Sequence, residues 1–131
     1  MKFKPGDTAS LSKTIGDDDI RAFADASGDH NPLHLDEEFA KQTRFGRRIA
    51  HGMLSASLIS AVIANELPGE GSIYLGQTLK FMAPVFLDDT VTARVTVSEV
   101  REDKPILKLE TVCTNQHDEV VIKGEATVLI S

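Results

Sequence analysis

The sequence predicts an α+β fold in a single domain, an antiparallel sheet wrapped around one long central helix. Three observations predict it. The chain has 131 residues, the length of one domain. A stretch near the middle, "HGMLSASLISAVIANELPG", is apolar or small on nearly every side, which marks a buried helix rather than a surface one. Four strand-like runs follow it, joined by short links. Short links join antiparallel neighbours, and a sheet with one buried helix is an α+β arrangement.

Each element has its own signal. "DTASLSKTI" (Asp7 to Ile15) alternates weakly and reads as a first strand. "DDDIRAFADAS" puts Ile20, Phe23 and Ala24 on one helical face. Its acids, Asp17 to Asp19, sit where a helix N-terminus favours negative charge. Gly28 supplies the stop. Pro32 biases Asn31 away from helical dihedrals, so Asp29 to Leu33 is expected to be a turn. "DEEFAKQTRF" restarts as a short helix capped by Asp36. In the central helix Met53, Leu54, Leu58, Ile59, Val62, Ile63 and Leu67 alternate with Ala and Ser, and Pro68-Gly69 ends it. The strand runs are "SIYLGQTLKFMAPV", "TVTARVTVSEV", "ILKLETVCTN" and "EVVIKGEATVLI", rich in β-branched residues at period two. "FLDD", "REDKP" and "QHD" are the links.

Composition narrows the function classes. A net charge of −6 argues against non-specific binding to nucleic acid or an anionic membrane. The single cysteine, Cys113, rules out an intrachain disulfide and fits a reducing, cytoplasmic setting. The polar start "KFKPGD" lacks the apolar core of a signal peptide. The longest apolar stretch is too short and too serine-rich for a membrane span.

Chemistry concentrates in "SGDHNPLHLDEEF". Asp29, His30, Asn31 and His34 fall within six residues there. His30 and His34 have the four-residue spacing of helical zinc ligands, but Pro32 between them argues against a helix, and no further Cys or His spacing supports a metal. Asp29 and His34 flank "HNPL", a turn that Asn31 can lock with its own side chain. A carboxylate and a neutral imidazole can together hold and deprotonate a water near neutral pH. The plainer alternative makes Asp29 a backbone cap and His34 a satisfied loop histidine. Gly52, at the start of the central helix, either serves as its cap or leaves backbone N–H groups open for an oxyanion. The hydroxyl of Ser60 either bonds back to the preceding turn or lines a pocket. Ser55 and Ser57 are expected to bond back. Arg44, Arg47 and Arg48 are either a solvated loop or a docking point for ligand phosphates, and Tyr74 fills space in a strand.

"GDHNPLHLD", then "IAHGML", then "GSIYLGQTLKFMAPVFLDDTV" closely resembles the MaoC-like R-specific enoyl-CoA hydratases, in particular the short bacterial type linked to polyhydroxyalkanoate monomer supply. The resemblance runs from about Pro5 to Ile130. It implies a single hot-dog domain over residues 1–131 and a homodimer with sites near the subunit interface. The implied reaction is reversible hydration of trans-2-enoyl-CoA to (R)-3-hydroxyacyl-CoA, without metal or organic cofactor. The family's catalytic aspartate and histidine fall on Asp29 and His34, its oxyanion N–H on Gly52 and a pocket serine on Ser60. Asn31 belongs to the same motif and supports the loop, and His51 is assigned a structural role. The acyl end is expected to meet inward side chains of the central helix, with Ala61, Val62 and Ile63 as candidates. The alternatives are a hot-dog dehydratase acting on another 3-hydroxyacyl thioester, a thioesterase, or a non-catalytic acyl-CoA-binding subunit.

Overall fold

The computed structural model describes residues 2–130. The elements in chain order are β1 (Thr8–Thr14), α1 (Asp17–Ser27), α2 (Pro32–Leu35), α3 (Glu37–Lys41), α4 (Gly52–Asn65), β2 (Ile73–Gln77), β3 (Lys80–Phe81), β4 (Thr90–Val100), β5 (Ile106–Thr114) and β6 (Val120–Leu129). The strands form one antiparallel sheet in the order β1-β4-β5-β6-β2, and β3 also pairs with β6. Helix α4 packs on β4, β5 and β1. This is the expected hot-dog arrangement.

The core follows from strand periodicity. Val91, Ala93, Val95 and Val97 of β4 and Leu107, Leu109 and Cys113 of β5 turn inward and are buried. They meet Leu54, Leu58, Ile59, Val62 and Ile63 of α4. Between Cys113 and Thr114 the ladder slips by one residue opposite β6. That bulge is why consecutive Val121 and Ile122 are both buried. On the outer face hydroxyls pair across β1 and β4, Ser12 with Thr92 at 2.6 Å and Thr14 with Thr90 at 2.7 Å.

Local signals placed the helix ends well. Asp19 accepts the Gly16 N–H at 3.0 Å, and Gly28 stops α1 at φ 83°, a left-handed value that suits glycine. Asp36 caps α3 by accepting the N–H groups of Glu38 and Phe39. Helix α4 ends at Asn65, and the Gly69 N–H returns to the Ile63 carbonyl at 2.9 Å.

Three expectations need correction. The segment from Asp29 to Leu33 is not a turn throughout, because Pro32 opens the four-residue helix α2. Proline has no N–H to lose at the first helical position, and Asn31 caps the helix by accepting the Leu33 N–H at 3.1 Å. The run from Ser72 to Val85 is two strands rather than one. The chain between β2 and β3 folds over Gly124, where a Cβ would stand 1.8 Å from the Thr78 carbonyl oxygen. There Thr78 exchanges bonds with Glu125 outside the ladder. Finally, α4 is not buried all round: Met53, Ser57, Ser60 and Ala64 form an exposed stripe. Their spacing of three and four residues puts them on one side of the helix.

Candidate active site

Helices α2 and α4 bring the sequence motifs together. Asp29 lies in the link before α2, and local bonds shape that link. The Asp29 N–H donates to Ser27 Oγ at 3.1 Å, and its Oδ1 accepts the Asn31 N–H at 3.2 Å. Asp29 is exposed. His34, within α2, is buried to 8 % exposure, and its Nδ1 lies 2.8 Å from the Ile49 carbonyl. A carbonyl only accepts, so Nδ1 carries the proton and Nε2 keeps a free lone pair. A carboxylate oxygen of Asp29 and one ring nitrogen each of His34 and His51 lie within 4.8 Å of one another.

That group of three could suggest a metal, but the ring planes argue otherwise. The His34 and His51 rings are stacked, with centroids 3.9 Å apart and planes 29° apart. Nitrogen lone pairs lie in the ring plane, so stacked rings aim them side by side rather than at one point. His34 Nδ1 and His51 Nε2 are also committed to backbone carbonyls. Lying within 4.8 Å of each other, Asp29 and His34 can share one water, because two hydrogen bonds of about 2.8 Å at a water's angle bridge up to roughly 5 Å.

Gly52 is the first residue of α4, and His51 is its cap. The Leu54 and Ser55 N–H groups turn back to the His51 carbonyl, at 3.1 and 3.4 Å. Among the described residues, the Gly52 and Met53 N–H groups have no such partner and are the open donors of the helix end. The ring of Phe81 covers Gly52, and a Cβ there would stand 2.7 Å from Phe81 Cε1. Asp29, Gly52, Met53, Ser55 and Phe81 line one cavity of about 530 Å³.

Ser60 is elsewhere. It lines a second cavity of about 530 Å³ with Phe23, Met53, Ala56, Tyr74 and Leu75. Among the described residues, only Met53 borders both hollows. Tyr74 does more than fill space, because its hydroxyl donates to Gln77 Oε1, and Gln77 in turn bonds buried Thr111 at 2.9 Å. Val62 and Ile63 are packed in the core and Ala61 is half-buried. None of the three borders either cavity, because the rotation of α4 turns Val62 and Ile63 toward the sheet. The side-chain oxygen of Asn31 caps α2. Ser57 bonds back to the Leu54 carbonyl as expected. Ser55 does not: its Oγ is buried without a partner among the described residues.

The three arginines have three fates. Arg48 is buried, donating from Nε to the His34 carbonyl at 2.7 Å and from Nη2 to Asp17 Oδ1 at 2.6 Å. It is neither a solvated residue nor a phosphate dock. The bonds from Arg21 and Arg48 hold the Asp17 carboxyl below its usual range. Arg47 stacks on Phe86, 3.8 Å from the ring centroid. Arg44 alone of the three borders the Asp29 cavity. Sequence reasoning treated the three alike, because nothing in residue type separates a buried arginine from an exposed one.

Residues 3–121 match the family model described as MaoC like domain. The chain belongs to the MaoC-like family. Among MaoC-like relatives, an (R)-specific enoyl-CoA hydratase of Rhodospirillum rubrum is 53% identical over 97% of this chain and 88% of its own. An (R)-specific enoyl-CoA hydratase of Aeromonas caviae is 53% identical over 94% of this chain and 92% of its own. A solved structure of an (R)-hydratase from A. caviae involved in PHA biosynthesis superposes with a TM-score of 0.98 at 50% identity, covering 99% of this chain and 98% of that one. MaoC-like membership agrees with the hot-dog sheet and with the motif that carries Asp29 and His34. Among the described residues, no helix is long and apolar enough to cross a membrane.

Proposed function

We infer that this chain is an R-specific enoyl-CoA hydratase that adds water reversibly to trans-2-enoyl-CoA, giving (R)-3-hydroxyacyl-CoA. One observation carries the reading: the Asp29 carboxylate and the His34 ring lie within 4.8 Å, beside a helix end with open N–H donors. Likeness over nearly the whole chain to two proteins named for this activity supports it.

The parts divide the work. The substrate's thioester carbonyl accepts a hydrogen bond from Gly52 N–H, which draws electron density from the double bond and makes C3 electrophilic. A preorganised backbone donor stabilises the enolate-like charge that develops on that oxygen. Asp29 and the free Nε2 of His34 hold one water. Its oxygen bonds to C3 while the pair takes a proton, and a proton returns to C2, so the net change is one added water. The two groups act and titrate as one unit. No step calls for a metal or organic cofactor. Arg44, at the same cavity, meets the anionic end of the thioester, and Ser60 meets its acyl end.

The working form is a cytoplasmic homodimer. Met53, Ile73, Leu75, Phe81 and Met82 are large, apolar and exposed on the single chain, a cluster suited to cover by a second copy. A supply role in polyhydroxyalkanoate synthesis accords with the description of the A. caviae structure.

Incubation with crotonyl-CoA tests the function. Loss of enoyl-thioester absorbance with an (R)-3-hydroxy product supports it. Release of free CoA identifies a thioesterase, and binding without turnover identifies a non-catalytic subunit. Sedimentation checks the dimer, and an active, stable monomer at micromolar concentration refutes it.

A further inference from the structure

The hydration scheme gives His51 no part, yet this side chain touches both Asp29 and His34. We propose that His51 is a positioning residue for hydration: its Nε2–H holds the main chain of Asp29 and its ring braces His34, so that carboxylate and imidazole meet the same water. The inference rests on the hydratase reading and deepens it.

The bond is specific. His51 Nε2 lies 3.0 Å from the Asp29 carbonyl oxygen. That oxygen can only accept, so Nε2 carries the proton and Nδ1 is left with the lone pair. Among the described residues, the other bonds of Asp29 reach no further than two residues, to Ser27 Oγ and the Asn31 N–H. They shape the loop without tying it to the rest of the molecule. The His51 bond crosses 22 residues and joins the loop to the start of α4. Asp29, His34 and Gly52 are thereby held in one frame.

The ring also has a reason to stay neutral. Phe23 covers it from one side, with centroids 4.8 Å apart, and His34 stacks on it at 3.9 Å. Nδ1 is buried without a partner among the described residues. Burial pushes the His51 pKa below the ordinary histidine value. The Asp29 carbonyl pulls the other way, and charge on His34 pushes it down again. A proton on His51 would place a second cation against His34 whenever His34 holds one. A neutral His51 leaves His34 as the imidazole that exchanges protons with the water.

Two substitutions separate donor from ring. His51→Gln places an amide N–H near the position of Nε2 but removes the ring. His51→Phe keeps a ring but has no donor. Displacing a reacting group by about 1 Å costs on the order of 100-fold. H51F should therefore lower kcat on crotonyl-CoA by ~10- to 100-fold with KM nearly unchanged. H51Q should recover about tenfold of that loss. If H51F does not fold, His51→Met, equally without a donor, takes its place. Adding H51F to Asp29→Asn should cost less than about threefold more, because groups acting as a unit are not additive. A folded H51F with normal kcat overturns the proposal. So does an H51Q as slow as H51F, or a full independent loss in the double mutant. If instead wild-type protein fails to hydrate crotonyl-CoA, the hydratase reading itself has failed, and the His51 variants are not the cause.

Discussion

The two cavities beside α4 are equal in size and unlike in lining. The first gathers Asp29, Arg44, His51, Gly52 and Ser55, all with polar groups or open backbone. The second is mostly apolar, with Phe23, Ala56, Leu75 and Leu79 around the hydroxyls of Ser57, Ser60 and Tyr74. On the proposed hydratase function, the contrast assigns chemistry to the first hollow, where charge can be held and moved, and selection of chain length to the second, where only shape and a few hydroxyls are offered. Substitutions in the first hollow should change rate, and those in the second should change preference.

The largest effect should come from Asp29→Asn or His34→Gln. Positioned acid/base groups contribute about 10²–10⁴-fold in rate, so each should lower kcat by roughly that factor with KM nearly unchanged in steady-state assays. The double mutant should be little worse than either single one. Near-normal kcat in a folded Asp29→Asn protein would erase the distinction between the cavities.

Gly52→Ala comes next. The new methyl meets Phe81 at 2.7 Å, and the ring, which also borders the first cavity, must move. A loss of about tenfold in kcat/KM, roughly 1.4 kcal/mol, is expected. Phe81→Leu in the same chain should restore part of it. Failure of that rescue would place the damage in the backbone instead.

Arg48→Met tests the frame rather than the chemistry. It leaves the His34 carbonyl without its buried donor, a loss of about 1–3 kcal/mol. The ion pair with Asp17 adds little, because Asp17 is well exposed. The Asp17 carboxyl is held below its ordinary value of 3.8 in the folded chain. The linked stability is therefore fully present above pH 3.8 and is lost as pH falls through the lowered value. Denaturant melts of the two proteins should differ at pH 7, and the gap should narrow only slightly in acid, because the bond to the His34 carbonyl does not titrate.

Ser60→Leu belongs to the second cavity. Crotonyl-CoA turnover should change by less than about threefold, and longer enoyl chains should lose about tenfold or more, since one misplaced methylene carries about that discrimination. An unchanged chain-length profile would detach this hollow from the substrate. The smallest effect is at Cys113, where burial pushes the thiol up to about 12. Iodoacetamide at pH 8 should leave native activity intact.

Much of this was legible in the residues. Gly28 and Asp36 announced their helix ends because a cap depends on its immediate neighbours. Strands β4, β5 and β6 were readable because one-sided burial writes itself as alternation. Helix α2 was not, since four residues contain too little periodicity to see, and Pro32 can begin a helix as readily as break one. The gap between β2 and β3 depends on Gly124, more than forty residues away. Composition could not show which side of α4 stays open, because Ser55, Ser57 and Ser60 look alike until the helix is rotated onto its sheet. Asp29, His34 and Gly52 stood out through the resemblance of their motifs to the MaoC-like family, because spacing alone left a backbone cap and a satisfied loop histidine open. His51 was assigned only a structural role, because its contacts to Asp29 and His34 exist only after folding.

The bridge from Asp17 through Arg48 to the His34 carbonyl has a consequence for how this chain can drift. The three partners are scattered over the sequence, yet the fold ties them to one another unequally. An Arg48 replaced alone strands a buried carbonyl, whereas a swap that fills the same space and supplies a donor from elsewhere leaves it satisfied. Asp17, facing water and also paired with Arg21, is the member free to change first. Divergence at this bridge therefore has a direction, from the rim inward, with the arginine the last of the pair to go.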